Sequence, residues 1–300
     1  MSATLTSRLF DNGRHGARVL ALALPLIWVE HSVPVWAEDA DKSEGFFSYF
    51  PAPPDINLPK LDFLPFWNSD IKKARKAYSS GDYKRALKFF RKESEDGNPI
   101  ADWYLGHMYR LGRGVAADPA IAYSYYSRVS ESYDAEEADA SRLRVTIDSQ
   151  LQLTNYLRSG VPSANIKADP QSAAKSYLRI ASNYGHPTAM FELGVMNIRG
   201  IGVTQNPQQG LKWLISAARK RSPSAEAYLG DLYWKGEFVR RDETRALMWY
   251  VLATEAASKQ DYSSLFARRD ELRNQVSEDV VLEADARARV WAEQYPVNKN

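Results

Sequence analysis

Five stretches of this chain can be written over one another, and that register limits the fold more than anything else in the sequence. They begin at Asp82, Asp118, Asp169, Asn206 and Asp242. Asp and Asn accept hydrogen bonds from the orphan N–H groups at a helix start. Pro119, Pro170 and Pro207 follow three of them, at the first helical position, where a missing N–H costs nothing. Four residues after each start stands a small residue: Ala86, Ala122, Ala173, Gly210 and Ala246. Seven or eight residues after each stand aromatics: Phe89 and Phe90, Tyr125 and Tyr126, Tyr177, Trp213, Trp249 and Tyr250. The spacings between starts are 36, 51, 37 and 36 residues, so one unit carries 15 extra residues and the others keep one period.

A second pattern lies inside the units. Pro99-x-Ala101-x-x-x-Leu105-Gly106 returns at Pro187, Ala189, Leu193 and Gly194, and again at Pro223, Ala225, Leu229 and Gly230. Proline opens a second helix, Ala and Leu share one face four apart, and glycine lets a neighbouring helix come close. The second helix then stops at Gly112-Arg113-Gly114-Val115, at Gly200-Ile201-Gly202-Val203 and at Gly236-Glu237-Phe238-Val239, glycine supplying the left-handed backbone that ends a helix. A 36-residue hairpin of this kind cannot bury its own apolar face, so the stack must be the folding unit. The expected fold is all-α, an α-solenoid of about five helix hairpins over residues 70–276.

The Ala-x-x-x-Leu-Gly-x-(Met/Leu)-Tyr blocks at Ala101–Tyr109 and Ala225–Tyr233, the Gly-x-Gly-Val stops and the Asp/Asn-Pro openings resemble Sel1-like repeats, relatives of the tetratricopeptide repeat. The likeness covers residues 70–260. Residues 277–296, with Val280, Val281, Ala284, Ala288 and Trp291, resemble the capping helix that often closes such arrays. One unit departs from the pattern: residues 134–160 read as a long polar helix with neither a Leu-Gly pair nor a glycine stop.

The ends of the chain read differently. Arg8, Arg14 and Arg18 precede an 11-residue apolar run, Val19–Val29, and Val35-Trp36-Ala37 offers small residues at −3 and −1 of a cleavage site. Residues 1–37 therefore read as an export signal cleaved after Ala37. The run falls far short of the roughly 20 residues a membrane span needs, so no membrane insertion is expected after cleavage. Residues 38–69 hold Pro51, Pro53, Pro54, Pro59 and Pro65 together with seven aromatic residues. They read as an extended arm, packed on its own domain or docking on a partner.

The chain contains no cysteine, which excludes disulfides, thiolate metal sites and a cysteine nucleophile and suits an oxidising compartment. With 39 basic against 37 acidic residues, the charge balance gives no ground for a nucleic-acid partner. After cleavage the histidines are His107 and His186, 79 positions apart and without metal-ligand spacing. Each reads as a turn or surface residue. No catalytic residue, metal site or cofactor is expected, and the chain reads as a binding protein, not an enzyme. The third, sixth and tenth residues after each start share another helix face. In the first four units they include Arg85, Lys88, Lys92, Arg128, Lys175, Arg179 and Lys212. These seven are the candidate partner-binding residues, a basic face for an acidic segment; the alternative is an ordinary solvated face.

The signal segment, the Cys-free mature chain, the arm and the repeat order together resemble periplasmic ExoR-type negative regulators of exopolysaccharide production. That resemblance implies a periplasmic protein that inhibits the sensor histidine kinase of a two-component system by binding its periplasmic domain, with a periplasmic protease as a second partner. Acid release, implied by the same resemblance, is expected to run through carboxylates and to survive replacement of both His107 and His186. A cell-envelope scaffold that binds other proteins through its repeats is the alternative.

Overall fold

The computed structural model describes residues 69–134, 139–257 and 262–297. The signal segment with Ala37, and the arm over residues 38–68, lie outside them. Twelve α-helices follow one another among the described residues: α1 Ser69–Ser79, α2 Tyr83–Glu95, α3 Pro99–Leu111, α4 Pro119–Glu131, α5 Ala140–Ser159 and α6 Pro170–Tyr184. They continue as α7 Pro187–Arg199, α8 Pro207–Arg219, α9 Pro223–Lys235, α10 Glu243–Ala256, α11 Ser263–Gln275 and α12 Glu278–Gln294. A short 3-10 turn, Pro162–Ala164, lies between α5 and α6. The helical repeat architecture expected from the sequence is present, each helix from α1 to α10 packing on the next.

The repeated capping residues act as their chemistry requires. Asp82, Asp118, Asp169, Asn206 and Asp242 all accept backbone N–H groups of the helix they start. The same residues also tie each unit to the helix before it. The Asp118 N–H donates to the Tyr109 carbonyl at 2.8 Å, that of Asn206 to Asn197 at 2.7 Å, and that of Asp242 to Tyr233 at 3.0 Å. The Asp169 N–H donates to Leu157 instead, at the end of the divergent helix α5.

Small-against-large packing closes each hairpin. A Cβ on Gly106 would lie 2.7 Å from the Tyr126 ring, one on Gly194 2.9 Å from Leu214, and one on Gly230 2.6 Å from the Tyr250 ring. The fourth-position residues Ala86, Ala122, Ala173 and Ala246 are fully buried, as are the large side chains Phe90, Tyr126 and Tyr177. Fully burying one such large apolar side chain is worth about 1.5–3 kcal/mol.

The apolar interior forms two separate clusters. The first runs from Ile71 to Val145 and gathers α1 to α4; the second runs from Leu151 to Ala288 and gathers α6 to α12. Helix α5 serves both. Val145 belongs to the first cluster, with Leu153 and Tyr156 leaning on it, while Leu151 belongs to the second, with Ile147 and Leu157. At the far end α12 lies across α10, Ala284 and Ala288 fully buried and the Trp291 ring edge-on to Trp249 at 4.8 Å.

Candidate partner-binding surface

All seven basic candidates lie on the exposed sides of α2, α4, α6 and α8, but they are not chemically equivalent. Lys92 Nζ pairs with Asp70 of α1 at 2.7 Å, and Lys73 joins the same carboxylate at 2.9 Å. The Lys92 and Lys73 hydrogen bonds hold Asp70 down to about 2, and Asp70 in turn raises Lys92. Arg128 Nη2 pairs with the buried Asp102 at 3.2 Å and donates to the Ser94 carbonyl at 3.3 Å, tying α4 to α2 and α3. Arg85 lies over the Phe89 ring at 5.9 Å. Lys88, Lys175, Arg179 and Lys212 are exposed and make no ion pair among the described residues. The basic face thus divides into two cations committed to the fold, one stacked on a ring and four facing solvent.

Arg179 also borders a surface cavity of about 180 Å³ that the repeat pattern did not foretell. Helix α5, inserted between α4 and α6, creates it. Leu153, Leu157 and Ile166 line it beside the polar Ser130, Gln150 and Ser176, together with Arg179.

Behind α5 lies a buried polar joint, and it corrects the expectation for His107. That side chain is not on a turn or at the surface; it is buried, at 7% exposure. His107 Nε2 lies 2.9 Å from Asp148 Oδ2, Trp103 Nε1 donates to the same oxygen at 2.7 Å, and Gln152 Nε2 reaches Oδ1 at 3.4 Å. Arg110 Nη2 lies 3.2 Å from His107 Nδ1. Burial pushes the Asp148 carboxyl up, but the hydrogen bond and charge of His107, with the Trp103 and Gln152 hydrogen bonds, outweigh it and hold the group below the usual carboxylate range. Nothing in the sequence announced this pairing, because Asp148 sits 41 residues away in the one segment without repeat register.

His186 is also not simply exposed. It precedes α7, is half-buried, and burial lowers it, with the Asp148 charge pulling the other way. Its Nδ1 is buried with no hydrogen-bond partner. Among the described residues no group of three or more His, Asp or Glu is placed to hold a metal ion, and no helix is long and apolar enough to cross a membrane.

The second block carries its own buried ionic knot. Arg221 Nε bonds Glu226 Oε1 at 2.9 Å, and its Nη atoms reach Glu255, the Leu252 carbonyl and the Tyr295 carbonyl at 3.2–3.3 Å. This guanidinium joins α9, α10 and the end of α12. Burial pushes the Glu226 carboxyl up to about 8, against the pull of Arg221.

Comparison with known proteins agrees with the repeat register. The chain matches the Sel1 repeat at residues 77–98, 99–132, 187–222 and 223–258. It is 31% identical over 166 residues to an exopolysaccharide production negative regulator of Rhizobium leguminosarum bv. viciae, a match covering 55% of this chain and 61% of that protein. It is 28% identical over 203 residues to the exopolysaccharide production negative regulator of Rhizobium meliloti, covering 68% of this chain and 74% of that one. Among solved structures, the Sel1 repeat protein of Oxalobacter formigenes aligns with a TM-score of 0.44 at 23% identity, over 77% of this chain and 86% of that one. The matches to the Sel1 repeat thus fall in two pairs, on either side of the segment that holds α5 and α6.

Proposed function

We propose that this chain is a regulatory protein that acts by binding another protein and that it restrains exopolysaccharide production. Its similarity to two proteins bearing that description carries the reading. The Sel1 repeats support it, because a stack of hairpins offers a long surface and repeats of this kind serve protein–protein contact. The partner is the periplasmic domain of a sensor histidine kinase, which the chain holds inactive, and a periplasmic protease removes the regulator. The chain reaches the periplasm by a signal segment cleaved after Ala37.

The four solvent-facing cations, Lys88, Lys175, Arg179 and Lys212, are the contact residues we assign to the partner's acidic surface. Lys92 and Arg128 contribute less, because each already holds a carboxylate. The test is co-purification of the full chain with the kinase from periplasm, together with sequencing of the mature N-terminus. Deleting the gene is expected to raise exopolysaccharide only while the kinase is present. The double variant Lys175→Glu/Arg179→Glu should lose the kinase, and Lys92→Ala should keep it. A pull-down that recovers no sensor kinase sinks the reading.

A further inference from the structure

The third helix stop lacks the second glycine that its siblings share. Gly112-Arg113-Gly114-Val115 and Gly200-Ile201-Gly202-Val203 become Gly236-Glu237-Phe238-Val239. All three middle residues share a left-handed backbone, with φ of 74° at Gly114, 66° at Gly202 and 59° at Phe238. In that region a Cβ crowds the backbone, and a bulky side chain is rare there. Glycine has a further reason at the sibling positions. A Cβ on Gly114 would lie 2.9 Å from the Tyr83 backbone, and one on Gly202 2.3 Å from the Pro170 backbone. Phenylalanine at the third stop is therefore a cost that ending the helix does not require. Its ring is not spent on the core either, being 48% exposed.

Arg240 and Arg241 follow, ahead of Asp242 and Glu243. Tyr233, Val239, Arg240, Arg241, Asp242 and Arg245 line a surface cavity of about 680 Å³. Three guanidinium groups there meet one carboxylate. Asp242 is already committed: it caps α10 through the Arg245 N–H at 2.8 Å and pairs with Arg245 Nε at 3.3 Å. Arg241 lies over the Trp234 ring at 5.3 Å and pairs with Glu243 at 3.0 Å, and Arg245 lies over Tyr233 at 5.4 Å. Arg240 is exposed and makes no ion pair among the described residues.

We propose that the α9–α10 turn, residues 236–242, is a docking site for an acidic segment of a partner protein, with Phe238 as its apolar anchor and Arg240 as the cation that meets its carboxylates. Strained residues persist where function retains them. Aromatics and arginines carry a disproportionate share of binding energy, and Arg240, the guanidinium here without an ion pair among the described residues, selects an acidic segment over a basic one. The proposal rests on the reading that the chain binds protein, and it names a surface outside the basic face of α2 to α8.

The probe is a fluorescein-labelled hexapeptide in which a Leu-Phe pair is flanked by Glu and Asp, titrated with the full chain. Saturable, salt-sensitive binding is expected, with none to the same peptide flanked by lysines. Phe238→Gly, which restores the sibling residue, should weaken binding about tenfold or more while leaving Tm unchanged or raised. Arg240→Glu should weaken it comparably. Equal affinity in Phe238→Gly, no saturable binding by the parent chain, or equal binding of an acidic peptide without the Leu-Phe pair overturns the proposal. So does a fall in Tm for Phe238→Gly, since the ring would then serve the fold. Recovery of the kinase by the parent chain and equally by Phe238→Gly would reject this site while leaving the regulatory reading intact; no recovery by either would reject that reading itself.

Discussion

The two repeat blocks use the same hairpin yet handle the position after the Leu-Gly pair in different ways. In the last repeat of the second block that position is Asp231 in α9, and it is satisfied within its own unit by the Tyr250 hydroxyl at 2.8 Å. In the first block it is His107 in α3, which reaches out of its unit to Asp148 of α5. One residue thus closes a repeat on itself, while the other fastens a repeat to an inserted helix. The consequence is visible in the core. The apolar interior does not pass continuously through the stack but meets a polar layer at α5, where Asp148, Gln152, His107 and the Trp103 N–H satisfy one another. A repeat array tolerates such a joint because each hairpin depends mainly on its neighbours.

This contrast can be broken most directly at the two aspartates. Asp148→Ala strands the Trp103 N–H and His107 in a buried site, and should cost about 3–5 kcal/mol in urea unfolding. Asp231→Ala removes one hydroxyl partner and should cost about 1–2 kcal/mol. Equal losses would mean that the joint at α5 is no different from a bond within a repeat.

The helix stops come next. Gly202→Ala meets both a left-handed backbone and Pro170 at 2.3 Å, and should cost roughly 2–4 kcal/mol. Gly114→Ala, whose Cβ would stand 2.9 Å from Tyr83, should cost less. The reverse order in thermal unfolding would show that the first block is the tighter one at this corner.

A smaller effect is expected from pH, and its sign differs between Glu226 and Asp148. Glu226 holds its proton more tightly when folded, at about 8 against an ordinary 4.5. Its contribution is therefore complete below pH 4.5, falls as pH rises and is lost above 8. Burial raises Glu192 and Asp231 in the same direction. Asp148 is lowered, so its contribution is present above the ordinary carboxylate range and is lost only in stronger acid. Urea midpoints should fall for the second block between pH 6 and 9, and Glu226→Gln should flatten that fall. A parent profile that is flat from pH 6 to 9 would remove Glu226 from the account.

Much of the fold was legible because each signal is local. A capping Asp, a Pro at the first helical position and a small residue four places on all act within one or two turns, so they repeat wherever the hairpin repeats. The candidate site was less legible. Arg85, Lys88 and Lys92 share a helix face by spacing alone, yet only the structure shows that Lys92 is held by Asp70 while Lys88 faces solvent. His107 was misjudged because its counterparts, Val195 and Asp231, suggested a permissive surface position. Its partner comes from outside the repeat, and no period could reveal it.

By itself the sequence determined the hairpin, its length, its caps and the order of its copies, because hydrogen-bond capping and 3.6-residue periodicity are short-range. The tertiary structure decided which basic side chains remain available, where the apolar core divides and how α5 is fastened between the two blocks. Those outcomes depend on residues up to 74 positions apart, as in the contact of Arg221 with Tyr295, and burial and charge pairing at that range are settled only when the helices pack.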